Sequence, residues 1–273
     1  MQNAGHSDGT VGKALDVLDC VAAFERPVRF SELLPRSAYP KATLYRLIQT
    51  LTHQGMLAFD PATQTYTPGM RLVRLAHAAW QRASLAPVAR EHLDALSQEV
   101  GETVHLAQMD NGQVLYVDKR NARVPVEMFA QAGKVGPAYC TGIGKAMLAF
   151  HDPATLTRLI AQQSFHGFMP NTLGDAEALR AELQVIRTRG HAFDDEEHEP
   201  GILCVALPVL SRAGRVMGGL SVTSTPARHS LDTLRALVPR IDTAARRIAA
   251  AAETWRFPEE EPLQEKRDAP CPD

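Results

Sequence analysis

The sequence lacks most features of secreted and membrane-embedded proteins. Its 273 residues include only four cysteines, widely separated and without a C-x-x-C pair, which disfavours a disulfide framework. No apolar run reaches the roughly 18 residues that a membrane span needs. The first ten residues are polar and lack the apolar core of a secretion signal. These absences predict no membrane partner and a reducing compartment, the cytoplasm.

The sequence also lacks a large excess of charge of either sign, since the formal net charge is only −2. Residues 1–82 nevertheless carry nine Lys or Arg against six Asp or Glu, a balance of +3, which leaves −5 for the remainder. Such an asymmetry is compatible with a DNA-binding N-terminal part. The length suggests two domains, and a hydrophobic content of 45% suffices for packed cores.

The stretch 39–51 contains no carboxylate and predicts a helix with two distinct faces. One face is an apolar stripe at helical spacing, formed by Leu44, Leu47, Ile48 and Leu51. Pro40 suits the first helical position, and Gly55 suits the position just past the end. The polar side carries a guanidinium, an amide, hydroxyls and a methyl, which can read base edges. The residues predicted to contact DNA are Lys41, Ala42, Thr43, Tyr45, Arg46, Gln49 and Thr50.

The polar side of this helix has two other interpretations. It could be an ordinary solvated surface, or it could belong to a protein-interaction module. Ordinary surface helices carry Glu and Lys pairs, and the missing carboxylates therefore favour DNA reading. Helical spacing over 11–23 and a short helix at 31–34, with Ser31 as its N-cap, complete a helix-turn-helix order. The β-prone runs 56–59 and 64–67 flank a turn at Asp60-Pro61 and predict a wing.

The stretch 69–84 predicts a linker helix with an apolar stripe. The stripe comprises Leu72, Leu75, Ala76, Ala79 and Trp80. It must be buried against its own domain or against a partner subunit, and the pattern favours neither. Further on, helices and strands mix without strict βαβ alternation, which predicts an α+β domain. Its predicted strands are 102–109, 113–119, 124–130, 202–210 and 216–223, and its predicted helices are 85–100, 144–150, 152–163, 175–189 and 231–255.

Several segments in this order resemble the IclR family of bacterial transcriptional regulators over about residues 11–255. They are Gly12–Leu18, Pro40–Leu47, Gly101–Leu106, Val114–Lys119, Cys140–Ala146, Asp194–Glu197 and Gly201–Val209. Two positions depart from the family pattern, Leu203 in place of the usual Arg and Ala42 in place of a frequent Ser.

The resemblance implies a winged helix-turn-helix, a linker helix and a GAF-like α+β effector-binding domain. It also implies a homodimer or dimer of dimers on a palindromic double-stranded DNA operator, regulating a catabolic operon. The expected boundaries are a disordered N-terminus at 1–10, the DNA-binding domain at 11–68, the linker at 69–84, the effector domain at 85–255 and a disordered acidic tail at 256–273.

The second domain contains groups suited to a small organic acid. Residues 141–144 open a helix, whose free N–H groups suit an anion. Ser221 and Thr223 share one face of a strand because strand side chains alternate. The resemblance places an effector site at Met128, Gly142, Ile143, Asp194, Ile202, Cys204, Ser221 and Thr223. A hydroxy, sugar or aromatic acid fits these groups, with Asp194 accepting from a ligand hydroxyl.

Three sharper hypotheses compete with this one. Gly142 to Lys145 suggests a phosphate-binding loop, but the spacing is incomplete and Ala146 replaces the required Ser or Thr. The run Asp194 to His198 could sense a metal, although a solvated acidic loop is the commoner meaning. Cys204 could be a thiol nucleophile, but an apolar mid-strand position lacks the electropositive surroundings that activate a thiol. We therefore expect no enzyme, catalytic residue, metal ligand or cofactor.

Overall fold

The computed structural model describes residues 9–253 and divides the chain after Gln81 into two compact units. The first helix begins at Gly9, two residues inside the stretch predicted to be disordered. The rest of that stretch and the predicted acidic tail lie outside the described residues. No helix of the described part is long and apolar enough to cross a membrane.

The first unit is a small helical domain with a three-stranded antiparallel sheet of order β1-β3-β2. In chain order its elements are α1 (Gly9–Ala22), β1 (Val28–Arg29), α2 (Phe30–Leu33), a 3-10 turn (Leu34–Arg36), α3 (Lys41–His53), β2 (Leu57–Asp60), β3 (Thr65–Pro68) and α4 (Met70–Ala83). The predicted stripe of α3 is buried against α1 and the sheet, in one apolar core. Three helices followed by a hairpin form a winged helix-turn-helix.

Two helix starts differ from the prediction. Pro40 is the N-cap of α3 rather than its first residue, because its ψ of 148° is extended. The helix α2 starts after Arg29, not after Ser31, since the Glu32 carboxylate accepts the Arg29 N–H at 2.9 Å. At the other end of α3, Gly55 has a φ of +69° and occupies the predicted position past the helix.

The second unit is built on a six-stranded antiparallel sheet of order β6-β5-β4-β9-β8-β7. Its elements are α5 (Ala86–Val100), β4 (Thr103–Asp110), β5 (Gln113–Arg120), β6 (Val135–Pro137), α6 (Gly142–Leu148), α7 (Pro153–Ala161), α8 (Ala176–Arg189), β7 (Ala192–Asp195), β8 (Leu203–Leu210), β9 (Val216–Ser224), α9 (Leu231–Arg235) and α10 (Val238–Ala252). The helices α5, α6 and α10 pack on the sheet, and the predicted α+β class is confirmed.

Two element predictions in this unit are wrong, and two strands, β6 and β7, were not predicted. Residues 124–130 form no strand: Pro125 lacks a donor, and the Phe129 N–H bonds the Glu199 carboxylate instead of a neighbouring strand. The strand β7, which carries Asp194, was missed because its acidic residues hide the pattern. The closing helix is two helices, since Pro239 lies in the first turn of α10. Its predicted end at Trp255 lies outside the described residues.

The linker helix α4 is amphipathic, yet none of its residues, all of them described, is buried. Only Leu72 of the predicted stripe packs on the core of the first unit. Leu75 remains 51% exposed, and Val73 and Met70 are also exposed. The first unit therefore buries only one end of the apolar stripe of α4.

Candidate functional site

The structure places the polar face of α3 on the surface of the first unit. Six of the seven residues predicted to contact DNA are exposed, and Thr43 is half-buried. Within the described residues, no hydrogen bond or ion pair engages the guanidinium of Arg46 or the ammonium of Lys41. Both cations are therefore available to bases or phosphates.

Two other residues of this face have structural partners. The Tyr45 ring contacts Phe30 edge-on at 5.9 Å between centroids. The Gln49 side chain hydrogen-bonds the phenol of Tyr66 on β3. These contacts join the helix to α2 and to the wing, and sequence reasoning gave no sign of them.

All eight residues predicted for the effector site line one cavity in the second unit. Thr141, which belongs to the segment 141–144 named from the sequence, also lines the cavity. Sequence reasoning missed six further lining residues, which are His105, Tyr116, Phe129, Ala130, His198 and Glu199. Strand register explains the convergence, because Asp194 pairs with Cys204, Cys204 with Thr223, and Ser221 with His105. Their side chains share one face of the sheet, beneath the start of α6.

The cavity is small as the structure shows it. Its volume is about 30 Å³, which accommodates roughly one or two water molecules. Two irregular segments contribute lining residues beside the sheet, namely Met128 to Ala130 and His198 to Ile202. A glutamate links these segments, since Glu199 accepts the Phe129 N–H at 2.9 Å. The Phe129 ring also contacts His198 edge-on at 5.4 Å.

Asp194 is the most perturbed carboxyl of the cavity. Its Oδ1 accepts the Glu197 N–H at 2.9 Å, and the Gly142 N–H bonds it as well. Burial and then the charge of Glu197 raise the pKa of Asp194 to about 7. Gly142 permits this approach, because a Cβ there would lie 3.0 Å from the Cys204 Sγ. The Gly142 N–H, expected to face an anion, is therefore shared with Asp194.

The buried ammonium of Lys145, near Asp194, is already paired with another carboxylate. Lys145 forms an ion pair with Glu197, and both side chains are almost wholly buried. Among the cavity-lining residues of the described chain there is no Lys or Arg. The cavity therefore presents neutral and acidic groups.

His105 is a further buried polar group of the cavity. Burial lowers the pKa of its imidazole to about 3, so the ring is neutral. Its Nδ1 lies 3.3 Å from the Thr223 hydroxyl, and its Nε2 has no hydrogen-bond partner in the described structure. The alternation of the strand after Gly101 was a signal that could have placed His105 beside Thr103 on this face.

The enzyme and metal hypotheses find no support in this geometry. Burial raises the pKa of the Cys204 thiol to about 12, the opposite of an activated nucleophile. The side chains of the run Asp194 to His198 do not converge on one point where a metal could bind, because Asp195 is exposed and Glu197 pairs with Lys145. Within residues 9–253, no three His, Cys, Asp or Glu side chains are grouped to hold a metal ion.

Asp194 is expected to make stability fall as pH rises. Its pKa moves from an ordinary 3.8 to about 7 on folding. Between these values the folded state retains a proton that the unfolded chain has lost, so raising the pH favours unfolding. This difference in pKa corresponds to a loss of about 4 kcal/mol in the free energy of unfolding once the pH has risen above both values. Asp194→Asn should be more stable than wild type at pH 8 but not at pH 4, as measured by urea unfolding.

Asp195→Asn is the matched control, because it makes the same substitution at the neighbouring residue, whose side chain is exposed. An Asp194→Asn variant whose stability differs from wild type by the same amount at both pH values would contradict the raised pKa.

The chain combines a winged helix-turn-helix, with free cations on its third helix, and a domain whose cavity is lined by both polar and apolar side chains. This combination defines a class of protein. It is the class of DNA-binding transcriptional regulators that respond to small molecules. Comparison with known proteins agrees. The model described as "IclR helix-turn-helix domain" matches residues 10–61, and "Bacterial transcriptional regulator IclR C-terminal" matches residues 77–250. The chain belongs to the IclR family.

Relatives cover nearly the full chain. The HTH-type transcriptional regulator KdgR of Escherichia coli is 31% identical over 252 residues, 92% of this chain and 95% of KdgR. The solved IclR of Thermotoga maritima has a TM-score of 0.70 and 26% identity, covering 88% of this chain and 97% of that one. An IclR homologue from Microbacterium hydrocarbonoxydans, solved in complex with 4-hydroxybenzoate, has a TM-score of 0.76 and 22% identity, covering 90% and 100%. The chain is thus a transcriptional regulator, not an enzyme.

Proposed function

We propose that this regulator binds a small organic acid in the cavity of its second unit and thereby controls a catabolic operon. It acts as a homodimer or dimer of dimers on a palindromic operator. The observation that carries this proposal is the convergence of all eight predicted effector residues on one cavity.

The chemistry of the lining favours an acid that is small and carries a hydroxyl. Ser221 and Thr223 offer hydroxyl donors, and the carboxyl of Asp194 lies beside them, where it can hydrogen-bond an oxygen atom of the ligand. Met128 and Ile202 supply an apolar wall that suits an aromatic ring. The 4-hydroxybenzoate of the Microbacterium neighbour combines a carboxylate, a ring and a hydroxyl. A nucleotide is disfavoured, because no cation lines the cavity of the described chain to neutralise a polyanion.

Ligand entry requires the cavity to enlarge. A volume of about 30 Å³ cannot hold a hydroxybenzoate. The segments 128–130 and 198–202 carry no regular secondary structure over most of their length, so they are the parts able to move outward. An acid that binds the enlarged form better shifts the population toward it, and only such a difference in affinity can alter DNA binding.

Ser221→Ala and Asp194→Ala should each retain operator binding while losing the effect of the acid on it. Each variant removes one polar group of the cavity and leaves α3 unchanged. The measurement is fluorescence anisotropy of operator DNA, with and without hydroxy, sugar and aromatic acids, after genomic footprinting has supplied the operator.

Ser224→Ala is the matched control: it is the same substitution on the same strand, at a buried serine outside the cavity lining. It should respond to acid as wild type does. If Ser221→Ala and Ser224→Ala behave alike, the cavity is not the effector site.

A further inference from the structure

No positively charged side chain lines the cavity that would receive the acid, although Lys119, outside the lining, lies close enough to His105 and Glu199 to act on both electrostatically. Asp194 and Glu199 are its carboxyls, and no lysine or arginine belongs to its lining in the described residues. Lys145 lies near Asp194 but is paired with Glu197. A carboxylate placed beside Asp194 would approach acidic groups without a cation among the lining residues to offset them.

Two backbone N–H groups hold the carboxyl of Asp194 in a fixed orientation in the cavity. Its Oδ1 accepts the Glu197 N–H at 2.9 Å, and the Gly142 N–H bonds the same carboxyl. Its strand pairs it with Cys204 on the cavity floor. Burial and the Glu197 charge raise its pKa to about 7, so the proton is available near neutral pH.

Building on the proposed function, we propose that Asp194 binds the carboxylate of the organic acid as a protonated carboxyl, so that an ionised Asp194 takes up one proton when the acid binds. The protonated Asp194 donates its O–H to a carboxylate oxygen of the ligand. Two carboxyl groups that share one proton avoid the contact of two like charges, as in other paired carboxyl sites. The proton comes from solvent, and no covalent bond other than O–H forms or breaks.

The other titratable groups near Asp194 are less suited to take up this proton. Those packed around it are Tyr116, Cys140, Lys145, Glu197 and Cys204, and the cavity is also lined by His105, His198 and Glu199. Burial raises the pKa of the phenol and both thiols, which stay neutral. Burial also lowers the pKa of both imidazoles, which disfavours their protonation. Burial also raises the pKa of Glu197, but the ammonium of Lys145 is paired with that carboxylate. Lys119 acts on His105 and Glu199 from outside the cavity lining. Asp194 is the group best placed to respond.

The expected signature is weaker binding at high pH. If the bound state retains the proton, affinity should fall about tenfold between pH 6 and pH 8, because a pKa near 7 leaves roughly one-tenth of Asp194 protonated at pH 8. Binding should consume about 0.9 proton at pH 8 and about 0.1 at pH 6.

The test is calorimetry of the full chain with 4-hydroxybenzoate, gluconate and lactate at pH 6 and pH 8. Each titration is done in buffers of different ionisation enthalpy, which reports proton uptake directly. Asp194→Asn keeps the acceptor oxygen and presents a permanent N–H donor, so its affinity should be the same at both pH values. Glu199→Gln removes a negative charge from the same cavity while leaving Asp194 intact, and it should keep the tenfold dependence.

The possible outcomes are separable. Equal wild-type affinities at pH 6 and pH 8, without proton uptake, overturn the proton sharing and leave the proposed function standing. Loss of the dependence in Glu199→Gln but not in Asp194→Asn assigns the proton elsewhere and also overturns it. If none of the three acids binds wild type or Asp194→Asn at either pH while operator binding persists, the organic-acid function fails, and this inference fails with it.

Discussion

Leu75→Asp is expected to convert the protein to monomers in sedimentation velocity and to abolish binding to a palindromic operator. Leu75 is 51% exposed on α4, and only Leu72 of the same stripe packs on its own domain. Burying a leucine contributes about 1.5–3 kcal/mol, and an aspartate in its place would put a charge into an apolar interface. Since a symmetric operator needs two reading heads, loss of the dimer removes one of them.

The control is Gln81→Asp, which places the same charge on the opposite, polar side of α4. It should leave the sedimentation coefficient and operator binding unchanged. Circular dichroism and unfolding of the second unit should match wild type in both variants. If Leu75→Asp remains dimeric, the subunits associate through another surface, and the proposal for the stripe is wrong.

Arg46→Ala is expected to weaken binding to the cognate operator by about 1–3 kcal/mol and to relax base preference at one position per half-site. Arg46 lies at the centre of the exposed polar face, and its guanidinium is free to make a bidentate contact with guanine. Selection of binding sites from random DNA measures the preference. Arg46→Lys keeps the charge but not the planar fork, so it should lose preference with a smaller loss of affinity.

Lys41→Ala supplies the contrast. Lys41 lies at the start of α3, nearer its apolar edge, and suits a backbone phosphate. Its removal should weaken binding to all sequences alike and lower the slope of log affinity against log salt by about one. If Lys41→Ala and Arg46→Ala lose base preference to the same degree, the division between phosphate contact and base reading is wrong.

Patterns that depend on neighbours in the chain were predictable. The stripe from Leu44 to Leu51 has helical spacing, and the structure buries all four of its residues. The alternation of Ser221 and Thr223 placed both on one face of β9, where they meet the cavity. Such periodicities arise from the geometry of a single element, so the sequence alone predicts them.

Some wrong predictions have local causes, such as the break of the closing helix at Pro239, whereas others concern segments whose partners are distant in the chain. The stretch 124–130 has β-prone residues, but it becomes an irregular wall of the cavity because Glu199, seventy residues later, binds the Phe129 N–H. His105 reads as an ordinary strand residue. Only its pairing with Ser221 across the sheet brings it to the cavity.

The sequence by itself determined the class of protein, the helix-turn-helix and eight of the residues that line the cavity, because periodicity and family motifs are local properties. Only the tertiary structure decided that Lys145 is paired with Glu197, and that burial raises the pKa of Asp194 to about 7. It also decided that the stripe of α4 lacks cover from its own domain beyond Leu72. Burial and electrostatic pairing are sums over groups far apart in the chain, and they exist only once the chain has folded.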